Sequence, residues 1–336
     1  MEKILISIVM PVYNNEVSID ETIKSIINQE YKNFELIIVD NGSKDKSKEI
    51  IKSNSDNRIK LYELAEPNVS EARNFGISQA SGQYIMFIDA DDTLEANALN
   101  ILINILKNNA PDAIIFNYYK CLKDTKEIQL MPYDEGIKNK EFIDEIIIPD
   151  FISAKIWGSV WRLIIDKSII NNNQLRFNKK VKIAEDLLFN IELFACLNNV
   201  YILKEALYNY NVNYNSTLNR YKPNNIAISD NFHKELRTVL KKMNIYDSNI
   251  EFYKKNRIIM YTSSISNAVR NKKIINIYNE IDSITKIFKE DELDYNIVDT
   301  NFLIKLTLKM LQYKNIIVLM LLYKIKEIVR LRKCKK

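Results

Sequence analysis

Tyr84-Ile85-Met86-Phe87-Ile88-Asp89-Ala90-Asp91-Asp92 is an apolar run that breaks off into three carboxylates within four positions. The run has the length and composition of a buried strand. A charge carried into a protein interior must be paired or coordinated, and three acids this close repel one another unless a cation lies among them. Oxygen donors suit a hard divalent ion, Mg²⁺ or Mn²⁺, of the kind that bridges to phosphate oxygens. The plain alternative is a strand-end turn with solvated aspartates.

Around this stretch the first 118 residues alternate between two periodicities. Strand patterns cover Ile4–Val12, Phe34–Val39 ending at Asp40, Ile59–Leu64, Gln83–Ile88 and Ala113–Asn117. Helical patterns lie between them. The first follows the capping box Ser18-Ile19-Asp20-Glu21, with Ile19, Ile23, Ile26 and Ile27 on its apolar face; others cover Asp45–Lys52, Ser70–Gln79 and Thr93–Lys107. This rhythm predicts an α/β fold with a mostly parallel, doubly wound sheet flanked by helices. Ligands of such sheets bind beyond the carboxyl ends of the strands. Val12-Tyr13, Asp40 and Asp89 all fall at such ends.

Residues 119–220 read as mixed structure. Lys155-Ile156-Trp157-Gly158-Ser159-Val160-Trp161-Arg162 holds both tryptophans, and Ala184-Glu185-Asp186 opens a helix. From Tyr221 the pattern is helical, and none of the five glycines lies beyond Gly158. The expected division is therefore 1–118, 119–220 and a helical extension over 221–336.

Composition narrows the chemistry. A chain of 336 residues suggests two domains, or one with a large extension. Three cysteines, far apart and without metal spacing, fit a reducing compartment and no disulfide framework. A single histidine, His233, leaves acid–base work to carboxylates, Lys, Tyr or Cys. Met1-Glu2-Lys3-Ile4 leads straight into a strand pattern, so no signal peptide and a cytoplasmic location are expected.

Charge is uneven. Residues 301–336 carry ten Lys and Arg against one acid, Glu327, for a net +9 in a chain whose total is +5. Their longest apolar run, Ile316 to Tyr323, is far short of the ~20 residues of a membrane span. A basic amphipathic helix of this kind lies on anionic lipid, here the inner face of the plasma membrane, or packs on the core with a solvated basic face. Basic residues gathered in one terminal helix, without a reading motif, do not point to nucleic acid.

Four motifs, in order and spacing, resemble the family 2 glycosyltransferases, which have the GT-A fold. They are Ile8-Val9-Met10-Pro11-Val12-Tyr13-Asn14, Ile38-Val39-Asp40-Asn41-Gly42-Ser43, Ser70-Glu71-Ala72-Arg73-Asn74, and the stretch Gly82 to Asp92. The likeness extends more loosely through Trp157-Gly158 and Glu185-Asp186-Leu187-Leu188-Phe189 to about Thr217, and does not reach the C-terminal third.

The resemblance implies a metal-dependent, inverting transfer of a sugar from a UDP-sugar to a hydroxyl of a glycan, free or lipid-linked, in cell-surface polysaccharide synthesis. It implies that Pro11, Val12 and Tyr13 form the base site, with Tyr13 stacking on uracil, and that Asp40 accepts from the ring N–H. Arg73 would donate to base or phosphates, Asp89 would hold ribose and support the metal, and Asp91 would ligate Mn²⁺ or Mg²⁺. Asp186 matches the family's base, and Glu185 would bind acceptor or orient that base. At a helix N-terminus the Asp186 carboxylate is expected to be ionised and weakly basic. Asp92 would add charge or cap the next helix. Trp157 and Trp161 would offer aromatic faces to an acceptor sugar, or fill core. Ser216 would donate to the diphosphate.

Two positions depart from the family pattern. Asn211 stands where many relatives carry Arg, and Asn68 stands where Gly is usual, Asn being tolerant of left-handed backbone. Two other functions compete. A nucleotidyltransferase shares the sheet but usually opens with a Gly-rich phosphate loop, and Pro11-Val12-Tyr13-Asn14-Asn15 has no glycine. A non-catalytic sugar-nucleotide scaffold would not need Asp91 and Asp186. The C-terminal third is expected to serve as homodimer interface, acceptor cradle or membrane foot.

Overall fold

The computed structural model describes residues 3–122, 125–212, 221–271, 273–291, 293–295 and 301–333. The chain forms two compact units. The first comprises Met1–Phe151, Ile156–Lys180 and Ala184–Tyr214, and the second Ile152–Lys155, Val181–Ile183 and Asn215–Lys336.

The first unit is built on a ten-stranded sheet of order β3-β2-β1-β4-β9-β6-β10-β5, with β7 beside β6 and β8 beside β10. Its strands are β1 (Ile6–Val12), β2 (Phe34–Asp40), β3 (Ile59–Glu63), β4 (Tyr84–Phe87), β5 (Thr93–Leu94), β6 (Ala113–Leu122), β7 (Thr125–Gln129), β8 (Gly136–Asn139), β9 (Leu163–Asp166) and β10 (Asn199–Asn211). The half β3-β2-β1-β4 is parallel, as the alternating pattern requires. Beyond it the sheet is mixed: β9 runs antiparallel to both β4 and β6, while β10 returns parallel to β6. Every residue of β1 and β2 is buried, because helices cover both faces of a parallel sheet.

The helices of this unit are α1 (Ile19–Ile27), α2 (Ser47–Ser53), α3 (Val69–Gln79), α4 (Ala98–Asn109), α5 (Lys140–Phe142), α6 (Ile148–Ile152), α7 (Lys167–Asn172) and α8 (Glu185–Cys196), with the end of α6 entering the second unit. Two expectations are corrected. Ser18 precedes α1, but its hydroxyl donates to Asn15 Oδ1 at 3.1 Å and forms no capping box. Thr93 does not open a helix: Thr93 and Leu94 pair with Asn209 and Tyr208 of β10, and α4 starts at Ala98. Gly76 explains how α3 lies so close to the sheet, since a Cβ there would stand 2.3 Å from Val9 Cγ1.

The second unit carries α9 (Asn225–Lys242), α10 (Ile250–Ala268), α11 (Ile274–Glu290), α12 (Phe302–Gln312) and α13 (Ile316–Lys333). Ile258, Tyr261, Ile265, Ile277, Ile281, Leu311, Leu319 and Tyr323 are among the residues of its own apolar core. Among the described residues no helix is long and apolar enough to cross a membrane.

Candidate active site

β1 and β2 end side by side, with Val12 in register with Asp40. Pro11 and Val12 are buried, while Tyr13 just beyond them is 50% exposed. The loops after the two strands are stitched together. Asn14 N–H donates to Ser43 Oγ at 3.0 Å, Lys44 N–H donates to Asn14 Oδ1 at 2.8 Å, and Asn15 N–H donates to Ser47 Oγ at 2.7 Å. Asp40 lies under them, 1% exposed, and neither carboxylate oxygen has a hydrogen-bond donor among the described residues. Its nearest cation is Lys48, 3.8 Å away and shared with Glu63. A buried carboxylate left this way is an acceptor waiting for a donor.

The three aspartates after β4 take separate roles. Asp92 turns inward, 1% exposed, accepting from Tyr208 Oη at 2.7 Å and Asn211 N–H at 2.8 Å. Burial, then the charges of Asp89 and Asp91, push its carboxyl up to about 8. The Tyr208 hydroxyl also accepts from Asp89 N–H at 3.1 Å, tying β10 to the acidic turn. The Asn211 amide donates to Asp91 O at 2.8 Å. Asn211 is therefore a strut for this turn, a role its position in the sequence did not announce. Asp89 and Asp91 remain at the cleft, and burial together with Asp89 raises the Asp91 carboxyl.

Among the described residues no three His, Cys, Asp or Glu side chains converge as a complete metal cage. The oxygens of Asp89 and Asp91, with Asp89 raising the cost of the Asp91 charge, are of the donor type that suits a hard divalent ion completing its shell with ligand and water oxygens.

Arg73 is the hub of the site. It projects from α3, 3% exposed. Nη1 reaches Glu185 Oε1 at 3.0 Å and Asp186 Oδ1 at 2.6 Å, and Nη2 reaches Asp89 Oδ1 at 3.0 Å. The guanidinium sits over the Phe177 ring at 5.3 Å. Its two terminal nitrogens are thus committed to protein carboxylates, which makes Arg73 a brace for the acids rather than a free donor to a nucleotide. The fixed charge and forked geometry of Arg suit this role, which a single ammonium could not fill.

Asp186 and Glu185 lie in the first turn of α8, and Ala184 before them adopts φ +54°, a left-handed geometry uncommon outside glycine. Asp186 Oδ2 also accepts from Val160 N–H at 3.3 Å. Burial, with Glu185 and Asp89 nearby, raises the Asp186 carboxyl towards about 7, against the opposing pull of Arg73 and the Val160 amide. The expected weak base is corrected here: desolvation outweighs the helix terminus, and the carboxylate gains basicity.

Gly158 lets the tryptophan loop close on α8, since a Cβ would stand 2.7 Å from Leu187 Cδ1, and Gly158 O accepts from Asn190 Nδ2 at 2.9 Å. The two tryptophans divide. Trp161 is 3% exposed and stacks on Tyr208 at 4.4 Å, so of its two expected roles it takes the core one and presents no face to a ligand. Trp157 is 51% exposed, lying over Tyr118 at 6.2 Å with Tyr210 edge-on at 5.7 Å. Asn68 is extended, φ −151°, and its side chain caps α3 by accepting from Glu71 N–H, so no left-handed turn is needed there. Ser216 lies outside the described residues.

Comparison with known proteins places this arrangement. Residues 7–159 match the family described as Glycosyl transferase family 2. The uncharacterized glycosyltransferase EpsJ of Bacillus subtilis (strain 168) is 32% identical over 247 residues, covering 72% of this chain and 70% of that protein. The poly(ribitol-phosphate) beta-N-acetylglucosaminyltransferase TarP of Staphylococcus aureus (strain N315) is 31% identical over 214 residues, 62% of this chain and 63% of TarP. The crystal structure of S. aureus TarS 1-349 in complex with UDP superposes with a TM-score of 0.68 over 95% of this chain and 90% of that one, at 18% identity. That likeness speaks to the fold, a GT-A sheet flanked by helices with a helical C-terminal part.

Proposed function

The chain belongs to glycosyl transferase family 2, and from that premise we propose that it moves a sugar from a UDP-sugar to a hydroxyl of a glycan acceptor, with inversion, in cell-surface polysaccharide synthesis. The observation that carries this reading is the buried Arg73 brace, which gathers Asp89, Glu185 and Asp186 beyond the end of β4. UDP in the related TarS structure supports the choice of nucleotide.

In this reading the Asp40 carboxylate, without a hydrogen-bond donor among the described residues, accepts the uracil N–H, and exposed Tyr13 stacks on the ring. Asp89 and Asp91 would hold Mg²⁺ or Mn²⁺, which would supply positive charge against the leaving diphosphate. Asp186 takes the proton of the incoming hydroxyl while the new bond forms to the anomeric carbon. The bond from that carbon to the diphosphate oxygen breaks, and UDP leaves. One displacement with one base inverts the centre, so an α-linked donor yields a β-linked product. A carboxyl near 7 is matched to this task at neutral pH. Trp157, on the loop whose Val160 amide binds Asp186, offers a flat apolar face for the acceptor ring.

The test is release of UDP by the purified chain from a panel of UDP-sugars with Mn²⁺. Metal-dependent release that is lost in Asp91→Ala and Asp186→Asn is expected. Release unaffected by both substitutions would discard the assignment.

A further inference from the structure

We propose that α13 rests its outward face on an anionic lipid surface. The helix buries Ile316, Leu319 and Tyr323 in the core of the second unit. On its other side Ile317 is 66% exposed, Leu321 58%, Ile325 60% and Ile328 52%. Positions three and four apart share a helix face, so these four form a single stripe about 17 Å long at 1.5 Å per residue. Lys324 falls within the same stripe, three residues from Leu321 and four from Ile328. Isolated exposed aliphatics are ordinary; a continuous line of them marks a contact surface.

Charge identifies the occupant. Residues 301–336 carry a net +9, and their one acid, Glu327, is already held by Arg270 and Arg330. A second copy of this chain would bring the same positive charge against the stripe, which disfavours self-association. An aliphatic line interrupted by a long basic side chain, in a segment of strong net positive charge, is the pattern of a helix lying in the plane of a bilayer interface. There the aliphatics enter the acyl boundary and the lysines reach the headgroups. The stripe has no aromatic or neutral polar member that would select a particular protein partner.

The test is flotation of the full-length chain with vesicles of one part phosphatidylglycerol to two parts phosphatidylcholine, against vesicles of phosphatidylcholine alone. The chain is expected to float with the anionic vesicles only, less as salt rises. The double variant Leu321→Asp, Ile325→Asp replaces two exposed side chains and is expected to keep its helical melt and its UDP release. Its partition to anionic vesicles should fall about tenfold or more, and Lys324→Glu should weaken anionic binding by a smaller factor.

Equal flotation with neutral vesicles, no flotation at all, or a double variant that floats like the parent would overturn the proposal. So would a parent dimer that the double variant turns monomeric without changing flotation, which would assign the stripe to a second copy. Flotation does not depend on sugar transfer, so this proposal and the catalytic one fail separately.

Discussion

Two buried arginines organise the two units of this chain, and they differ in how much negative charge each must hold. Arg73 faces Asp89, Glu185 and Asp186, with Asp91 close to Asp89, and among the described residues one guanidinium answers them. Arg257 in the second unit faces two acids, with Nη2 2.6 Å from Asp230 Oδ1 and Nε 2.7 Å from Asp291 Oδ2. Lys234 also pairs with Asp230, and the Tyr261 and Tyr295 hydroxyls donate to Asp291. The second cluster is balanced: burial works against the Asp230 carboxylate, yet Lys234 and Arg257 lower its pKa. Among the described residues the first has more acids than cations, and its Asp186 is raised. A buried network that closes its own charge holds a fold together. One that leaves an excess is built to receive something from outside.

The sharpest way to break this comparison is at Asp186 itself. Asp186→Asn keeps the shape and removes the base, and transfer should fall roughly 10²–10⁴-fold while the thermal melt stays within a few degrees. In the parent, the rate should decline as pH drops below about 7, because the carboxylate must be ionised to accept a proton; that limb should vanish in the variant's residual activity. A large loss of stability without loss of rate would make Arg73 and its acids a structural cluster like the other.

At the balanced cluster the expectation reverses. Arg257→Met strands two buried carboxylates and should lower unfolding stability by about 3–5 kcal/mol, read by circular dichroism in urea, with turnover per folded molecule unchanged. A fall in turnover at constant stability would give the second unit a catalytic share.

His233 sharpens the contrast in pH. It is 3% exposed, with Nδ1 2.8 Å from Ser229 O and Nε2 2.9 Å from Asn256 Oδ1; the neutral ring carries one N–H and so donates to only one of these two acceptors, and burial lowers its pKa to about 4. The unfolded chain therefore binds a proton below about 6.5 that the native chain refuses until about 4. Stability from this residue is whole above 6.5 and is lost as pH falls towards 4, by about 3 kcal/mol. Melts across that range should show the slope, and His233→Gln should flatten it. No change in slope would remove the histidine from the account.

The smallest effect concerns the strut. Tyr208→Phe removes one hydroxyl that links Asp89 N–H to Asp92 and should cost about 1–3 kcal/mol, since a buried acceptor loses its donor. A KM rise for the UDP-sugar larger than the kcat loss would show that the strut aims the acidic turn rather than merely stabilising it.

Much of the candidate site was legible in the sequence. Asp40, Arg73, Asp89, Asp91 and Glu185-Asp186 sit in motifs whose apolar lead-ins announce strand ends and a helix start. What escaped reading depended on partners distant in the chain. Nothing near Tyr208 in sequence marks it as the partner of Asp92, 116 residues away. Trp157 and Trp161 look equivalent until one packs against Tyr208 and the other does not. Thr93 carries a helical pattern, yet β10 captures it because an edge of the sheet is open there.

The order of strands and helices in the parallel half, the surplus of acids at its strand ends and the basic character of the last helix follow from the sequence alone, because periodicity and charge are local properties. The commitment of Arg73 to three acids, the inward turn of Asp92, the raised basicity of Asp186 and the outward line of aliphatics on α13 were decided only by the tertiary structure. Each depends on which groups lose water and which do not, and that is settled by what packs against them.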